Sequence, residues 1–177
     1  MRQPSMLDGM RRTSFAEMSC AIARSLEIVG DWWTPLIIRD VYLGVRRFDD
    51  LVTDLGISRN LLTARLDQLV TQRILERRRY QERPPRHEYE LTQAGRDLVP
   101  VLMALMAWGN QWAGLTEGPP ALLEHRPCGN LFTPLVTCPH CGGQVTADNV
   151  KVHPGPGGRQ GPGTWVLAER LTQPDRP

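Results

Sequence analysis

Residues 56–91 read GISRNLLTARLDQLVTQRILERRRYQERPPRHEYEL, and this stretch decides the fold. Apolar residues at helical spacing precede Gly56, which stands where a left-handed residue commonly ends a helix. Ile57 is expected to fill the corner before a second helix, and Ser58 is a typical N-cap for that helix. The stretch therefore predicts two helices joined by a tight turn.

The second helix of this pair has one apolar and one polar face. Its apolar residues recur at three- and four-residue spacing, which predicts burial on the domain. Arginine and asparagine at a helix N-terminus can read guanine and adenine in the major groove. The polar residues predicted to contact DNA are Ser58, Arg59, Asn60 and Thr63, with Arg65 beside the apolar stripe and more suited to a phosphate. An ordinary helical hairpin with a solvated face is the alternative.

Two short strands follow, at residues 74–80 and 87–91, around a stiff turn that contains two prolines. Residues 73–86 contain six arginines and two glutamates, a local balance of +4, whereas the whole chain carries +2. Such a patch favours DNA because each neutralised phosphate releases counterions. The hairpin is therefore predicted to be a wing that contacts the DNA backbone through Arg78, Arg79, Arg83 and Arg86. A solvated hairpin is the alternative.

From Cys20 to Trp112 the sequence resembles the HxlR-type winged-helix transcriptional regulators, which are relatives of the MarR group. The resemblance implies a homodimer that binds a pseudo-palindromic operator near its own or a neighbouring promoter, usually as a repressor. We add Arg46 and Arg47 from the second matching stretch to the predicted DNA contacts. The matching stretches are GDWWTPLIIRD (30–40), RRFDDL (46–51), GIS (56–58), LTARL (62–66) and PPRHEYELT (84–92).

An independent indication of a dimer comes from residues 98–116, none of which is charged. Apolar residues mark two faces of the helix predicted here, so one face can pack on the winged domain and the other on a symmetry mate. A membrane span is not expected, because the apolar core is short and is interrupted by Pro100. Burial in a monomer is the alternative. The predicted dimer contacts are Ile22, Leu26, Leu102, Leu105, Met106, Trp108 and Trp112.

Residues 122–150 contain two similar turns, His125-Arg-Pro-Cys128-Gly and Cys138-Pro-His-Cys141-Gly. They resemble the knuckles of small zinc ribbons, in which two residues separate the ligands and a glycine follows. We predict a closed structural zinc site with His125, Cys128, Cys138 and Cys141 as ligands, and His140 as a substitute ligand. A redox-active dithiol or disulfide and an unligated turn are the alternatives.

Cys20 stands just before an amphipathic first helix. A cysteine at a helix N-terminus near arginines favours the reactive thiolate form. Regulators of the family that this chain resembles often carry a sensing cysteine near this position. The hypothesis is that oxidation or alkylation of Cys20 at the dimer interface changes the half-site spacing and releases DNA. A small buried cysteine is the alternative.

The chain has 177 residues and is 41% hydrophobic, enough for one domain of about 100 residues and a smaller appendage. The predicted class is mainly α with a small β wing (α+β), a winged helix-turn-helix DNA-binding domain with a small Cys/His-rich C-terminal extension. The first 19 residues lack the apolar segment of a signal peptide, so a cytoplasmic location is expected. The predicted regions are a flexible leader (1–19), winged helix and dimerisation helices (20–115), the Cys/His extension (116–150) and a Gly/Pro-rich tail (151–177).

The sequence contains no nucleophile elbow, phosphate loop, dinucleotide fingerprint or metalloprotease helix motif, so an enzyme is not expected. The predicted function is a sequence-specific DNA-binding transcriptional regulator, a homodimeric repressor. Its predicted partners are an operator in double-stranded DNA and a small-molecule or electrophile effector, with no membrane partner. The alternative is a zinc-dependent interaction module that uses its winged helix to bind a protein.

Overall fold

The computed structural model describes residues 14–172, which form two compact units. One unit is Asp31–Lys151, and the other combines the two ends of the chain, of which residues 14–30 and 152–172 are described. The elements are α1 (Ala21–Val29), α2 (Trp33–Tyr42), α3 (Phe48–Leu55), α4 (Arg59–Thr71), β1 (Leu75–Gln81), β2 (Arg86–Leu91), α5 (Gln93–Trp112), β3 (Leu123–His125), β4 (Asn130–Phe132) and α6 (Trp165–Thr172). The order helix, turn, helix, hairpin confirms the predicted class.

The turn between α3 and α4 forms as its sequence predicts. Gly56 adopts the left-handed conformation, with φ 61° and ψ 22°, and ends α3. Ile57 is buried in the corner. The Ser58 side chain accepts a hydrogen bond from the backbone N–H of Leu61 at 3.4 Å and caps α4. Local chemistry alone therefore sets the start of the second helix.

The hydrophobic core of the Asp31–Lys151 unit surrounds α2, which packs against α3, α4, α5 and β2. Its fully buried side chains include Ile37 and Ile38 of α2, Leu51 of α3, and Leu62 and Leu66 of α4. Burying one such side chain contributes about 1.5–3 kcal/mol. The apolar face of α4 therefore fixes which of its residues remain in solvent.

Two apolar residues at α2 do not join this core. Leu36 and Leu43 belong to the apolar segment of this helix, yet both are exposed. Leu43 is the C-cap of α2, where the helix ends and the chain turns away at Gly44. Helical spacing therefore overestimates how much of this segment is buried.

The wing is an antiparallel pair in which Leu75 lies opposite Leu91 and Arg77 lies opposite Tyr89. Leu75, Tyr89 and Leu91 are buried, which fixes the register, since a slip of one residue would turn them to solvent. The register shifts between Arg79 and Gln81 near the tip. The arginines of the wing are therefore left on its exposed surface.

Helix α5 begins earlier than the uncharged stretch suggested. Thr92 is its N-cap, and the Thr92 hydroxyl oxygen accepts from the backbone N–H of Gly95 at 3.2 Å. Pro100 lies inside the helix and is exposed. No helix within residues 14–172 combines the length and the apolar composition that a membrane crossing needs.

The unit formed by the chain ends contains α1 and α6. The segment around Trp165, which lies in the predicted Gly/Pro-rich tail, is helical. An open cavity of about 890 Å³ lies in this unit, and its lining includes Cys20, Arg24 and His153. Residues 1–13 of the predicted leader and 173–177 of the predicted tail lie outside the described residues, and the predicted region boundaries stay a prediction.

Asp31 joins the start of α2 to the middle of α4. Its Oδ1 accepts from the backbone N–H groups of Trp33 at 2.9 Å and Thr34 at 3.1 Å, and its Oδ2 accepts from the Thr34 hydroxyl at 2.5 Å. The Nε of Arg65 lies 3.4 Å from Asp31 Oδ1, in the geometry of an ion pair rather than a hydrogen bond. The Asp31 side chain is only 10% exposed. The Asp31 carboxylate therefore caps α2 and balances the positive charge of Arg65 on α4.

We expect Asp31→Ala to lower the free energy of unfolding by about 2 kcal/mol, because it removes a helix cap and leaves the half-buried Arg65 unpaired. Asp31→Asn keeps a good capping oxygen and loses only the charge, so it should cost about half as much. Urea unfolding at fixed protein concentration measures both. Asp50→Ala is the matched control, since Asp50 is exposed in the first turn of α3. Unfolding midpoints that match the wild type for both Asp31 variants would contradict this role.

Candidate nucleic-acid interface

The N-terminal turn of α4 displays a polar surface. Ser58, Arg59, Asn60 and Thr63 are all exposed, as their predicted role requires. The Thr63 hydroxyl donates to the backbone carbonyl of Arg59 at 2.9 Å. The free backbone N–H groups of a helix N-terminus also attract phosphate. This turn therefore leaves the predicted base-reading side chains exposed beside a helix N-terminus.

Arg59 is held above the start of α3. Its Nη1 lies 2.7 Å from Asp49 Oδ1, and its Cζ lies 4.8 Å from the centre of the Phe48 ring. The Arg59 side chain is nevertheless 64% exposed. An ion pair this exposed contributes at most about 1 kcal/mol. A base or a phosphate can therefore replace Asp49 at little cost, while Phe48 still supports the guanidinium.

Arg46 and Arg47 connect this region to the wing. The Arg47 Cζ lies 4.8 Å from the centre of the Tyr80 ring on β1, and the backbone carbonyl of Arg46 accepts from the N–H of Tyr89 on β2 at 2.9 Å. Arg46 Nη1 lies 3.3 Å from Glu90 Oε1. Arg46 and Arg47, just before α3, thus contact the wing, and the first residues of α3 contact Arg59. These contacts link the polar end of α4 to the wing.

The arginines of the wing differ in their pairing. Arg78 Nη1 lies 3.4 Å from Glu90 Oε1, and Arg79 Nη1 lies 3.2 Å from Glu82 Oε2. Arg83 and Arg86 are exposed, and within residues 14–172 neither forms an ion pair. The tip of the wing therefore carries the least compensated positive charge.

Arg65 differs from the other predicted DNA contacts. Its side chain is 25% exposed, its Nη1 donates to Gln68 Oε1 at 3.2 Å, and its Nε faces Asp31. The polar contacts of Arg65 are therefore made within its own domain. The sequence placed Arg65 correctly beside the apolar stripe but gave no sign of its partner, which lies 34 positions earlier in the chain.

Two acidic residues that organise this surface were missed by sequence reasoning. Glu90 lies between Arg46 and Arg78, and Asp49 holds Arg59. Asp49 sits in the first turn of α3, where an acid is expected to interact with the helix dipole. Alternation along β2 points to Glu90 only as a surface residue. No local pattern indicates either pairing.

Residues 28–117 match the model of the family described as HxlR-like helix-turn-helix. The chain belongs to this family. It is a helix-turn-helix transcriptional regulator, and the predicted family is confirmed. Among its relatives is an uncharacterized HTH-type transcriptional regulator of Mycobacterium tuberculosis H37Rv, 47% identical over 137 residues, which cover 77% of this chain and 87% of that protein.

Solved structures agree with this assignment. The crystal structure of PA1607, a candidate transcription factor, is 33% identical with a TM-score of 0.70 and covers 79% of this chain and 98% of its own. The redox regulator HypR in its reduced form is 27% identical with a TM-score of 0.51, and covers 55% of this chain and 98% of its own. The winged-helix fold of this HxlR-like protein is therefore shared with known regulators.

One face of α5 in this HxlR-like chain is apolar and exposed. Leu105, Trp108 and Trp112 are 56%, 60% and 65% exposed, whereas Leu102 and Met106 are half-buried. In α1, Ile22 and Leu26 are also exposed. An exposed apolar helix face such as that of α5 is commonly an interface. The predicted dimer contacts on α5 and α1 stay a prediction.

The Cys/His extension contains two separate turns, one at residues 125–129 and one at residues 138–142. His125 Nδ1 lies 3.3 Å from Cys128 Sγ. The backbone N–H of Asn130 lowers the pKa of the Cys128 thiol, and the N–H groups of Cys141 and His140 lower the pKa of the Cys138 thiol. Within residues 14–172, no three His, Cys, Asp or Glu side chains lie together as a metal site. The predicted zinc site stays a prediction.

Cys20 is the N-cap of α1, as the sequence predicted, and is half-buried with a free thiol. Its side chain makes no capping hydrogen bond. Arg24 lines the same cavity, but the Arg24 guanidinium donates to the carbonyl of Ala16. Cys20 is therefore accessible through the cavity rather than enclosed in a core.

Proposed function

We propose that this chain is a homodimeric repressor that binds a pseudo-palindromic operator. The observation that carries the proposal is the division of α4: its apolar face is buried and the face with Arg59, Asn60 and Thr63 is exposed. In this proposal α4 reads the major groove and the wing holds the flanking backbone. The dimer represses by covering a promoter in the cytoplasm, and no catalytic step is involved.

Contacts around Arg59 support a role in reading bases. Phe48 and Asp49 hold the guanidinium beside the N-terminus of α4, so less side-chain entropy is lost when it binds a guanine. The wing arginines suit phosphates instead, because they are spread along an exposed hairpin. Arg65 contributes indirectly, by fixing α4 against Asp31.

The dimer gives this surface its specificity. Two recognition helices related by a two-fold axis read half-sites about one helical turn, roughly 34 Å, apart. The exposed apolar face of α5 is the surface that we assign to the dimer, with Ile22 and Leu26 of α1 as further contacts. Small changes at this interface would alter the distance between the two recognition helices.

Release from DNA is assigned to a small-molecule or redox signal acting at Cys20. Support comes from the half-buried thiol at the N-terminus of α1 and from the similarity to HypR, a redox regulator. A hydroperoxide would transfer one oxygen to the Cys20 thiolate, giving a sulfenic acid and releasing an alcohol or water. The larger, more polar group would then shift the dimer toward a spacing that does not fit the operator.

We expect the protein to prefer its own upstream intergenic DNA over a scrambled duplex by about a thousandfold at physiological salt.

Arg59→Ala should weaken the free energy of operator binding by about 1–3 kcal/mol and relax the base preference at one operator position. Replacing Arg78, Arg79 and Arg83 together by alanine should weaken binding to all sequences and reduce the salt slope by about 1–3, less if their glutamate partners already neutralise them. Fluorescence anisotropy at several salt concentrations measures these effects.

The control for the wing is Arg170→Ala, which removes an exposed arginine of α6 that the proposal does not assign to DNA. Its salt slope should equal that of the wild type. Equal binding to the upstream and scrambled duplexes would contradict an operator there. An absence of binding even at low salt would favour a protein-interaction module instead.

The dimer is tested with Trp108→Glu, which places a charge in the exposed apolar face of α5. We expect the wild type to sediment as a dimer and the variant to shift toward monomer, with weaker operator binding and an unchanged circular dichroism spectrum. Trp32→Glu is the matched control, since Trp32 is 90% exposed and outside the proposed interface. A wild type that stays monomeric, or a Trp108→Glu protein that stays dimeric, would rule out this interface.

The sensor is tested with Cys20→Ser. Mild hydrogen peroxide should abolish operator binding by the wild type, reversibly with a thiol reductant, and leave Cys20→Ser bound. Cys128→Ser serves as the control, because it removes a cysteine of the extension and should remain sensitive. Loss of DNA by oxidised Cys20→Ser would eliminate Cys20 as the sensor.

A further inference from the structure

The two turns of the Cys/His extension have the same backbone geometry. In the first, the N–H of Gly129 donates to the carbonyl of His125 at 2.8 Å, and Gly129 has φ 68°. In the second, the N–H of Gly142 donates to the carbonyl of Cys138 at 2.8 Å, and Gly142 has φ 70°. A glycine in this conformation turns the chain back over the residue four positions earlier. The two turns are therefore repeats of one knuckle.

Each knuckle ends a small antiparallel ladder. Strands β3 and β4 pair from Leu123 opposite Phe132 to His125 opposite Asn130, directly at the first knuckle. Beside the second, Thr137 pairs with Gln144, and the N–H of Cys138 donates to the carbonyl of Gly143 at 2.8 Å. Both knuckles thus sit at the tips of hairpins. Each tip carries one ligand pair, as a knuckle of a zinc ribbon does, although the two pairs do not lie together within residues 14–172.

The spacing of the donor atoms in the first knuckle also suits a metal ion. His125 Nδ1 and Cys128 Sγ lie 3.3 Å apart, a separation that fits two ligands on one edge of a tetrahedron. Backbone N–H groups point at the sulfurs of Cys128 and Cys138. Such amides stabilise the negative charge of metal-bound thiolates. Each knuckle therefore presents two donors with a supporting outer shell.

The extension lacks a core of its own. No residue from 122 to 150 is buried, and apolar side chains such as Leu131, Leu135 and Val136 are exposed. A segment of this size seldom folds stably without a cross-link or a metal. The three cysteines of the extension are free, so no disulfide supplies the cross-link. Packing and disulfides therefore do not account for a stable fold of this segment.

We propose that residues 122–150 form a zinc ribbon in which His125, Cys128, Cys138 and Cys141 hold one Zn²⁺. The four donors do not lie together within residues 14–172, so the proposal requires the two hairpin tips to close on the ion across the nine-residue connection 129–137. Binding displaces three thiol protons and leaves the imidazole neutral. Four protein ligands close the coordination shell, so the ion is structural and has no open position for catalysis. The proposal does not depend on DNA binding.

The test measures zinc in the full chain purified under reducing conditions and reconstituted with zinc sulfate. We expect about one zinc per chain by elemental analysis, and a tenfold loss or more in Cys138→Ser and in His125→Ala. His153→Ala is the matched control and should keep the full content, whereas His140→Ala tests the substitute ligand and should keep it only if His125 is the fourth ligand. Zinc that survives His125→Ala but not His140→Ala would overturn the assignment of His125.

Cobalt substitution keeps the test decisive if a variant folds poorly. Co²⁺ added to the reduced wild type should give thiolate-to-metal charge-transfer absorption together with the visible bands of a tetrahedral site. The charge-transfer intensity should fall in Cys128→Ser and stay unchanged in Cys20→Ser. Absence of zinc and of these bands in the reconstituted wild type would overturn the proposal. A Cys138–Cys141 disulfide found by mass spectrometry in protein prepared without oxidant would overturn it as well.

Discussion

The carboxylate of Asp31 is the contact on which the orientation of α4 depends. Apolar side chains fix which face of α4 is buried, but they allow the helix to slide and rotate by small amounts. Asp31 removes this freedom, since it is bound to the first turn of α2 by three hydrogen bonds and faces Arg65 from a largely buried position. A base-reading helix needs such a constraint, because a misplacement of about 1 Å breaks bidentate hydrogen bonds.

On the surface that we propose for DNA, the arginines differ in how strongly they are paired with acidic residues. Arg65 is committed to Asp31, Arg59 rests on an exposed ion pair, and Arg83 at the wing tip has no acidic partner within residues 14–172. The cost of transferring an arginine to DNA falls along this series, since an exposed ion pair is worth at most about 1 kcal/mol. In the proposed complex, the acids on this surface would therefore position the arginines without preventing their transfer to DNA.

Sequence predicted those features that depend on neighbours in the chain. Gly56 and Ser58 act within one turn, and the two strands of the wing flank a stiff turn that contains two prolines. The pairing of Asp31 with Arg65 was not predictable, because nothing near either residue specifies a partner 34 positions away. The exposure of Leu36 has a related reason: helical spacing defines a face, but the neighbours of a helix decide how wide its buried part becomes.

The two surfaces left open in this chain have different physical solutions. The apolar face of α5 belongs to a long helix that is already stable on the winged domain, so a second copy can cover it without changing its shape. The hairpins of residues 122–150 have no buried residue, so a partner surface would first have to order them at an entropic cost. A metal ion removes that cost locally, because four strong bonds replace many weak contacts. A shared metal ion is therefore the solution that we propose for the extension, and an apolar interface is the one that we propose for the dimer.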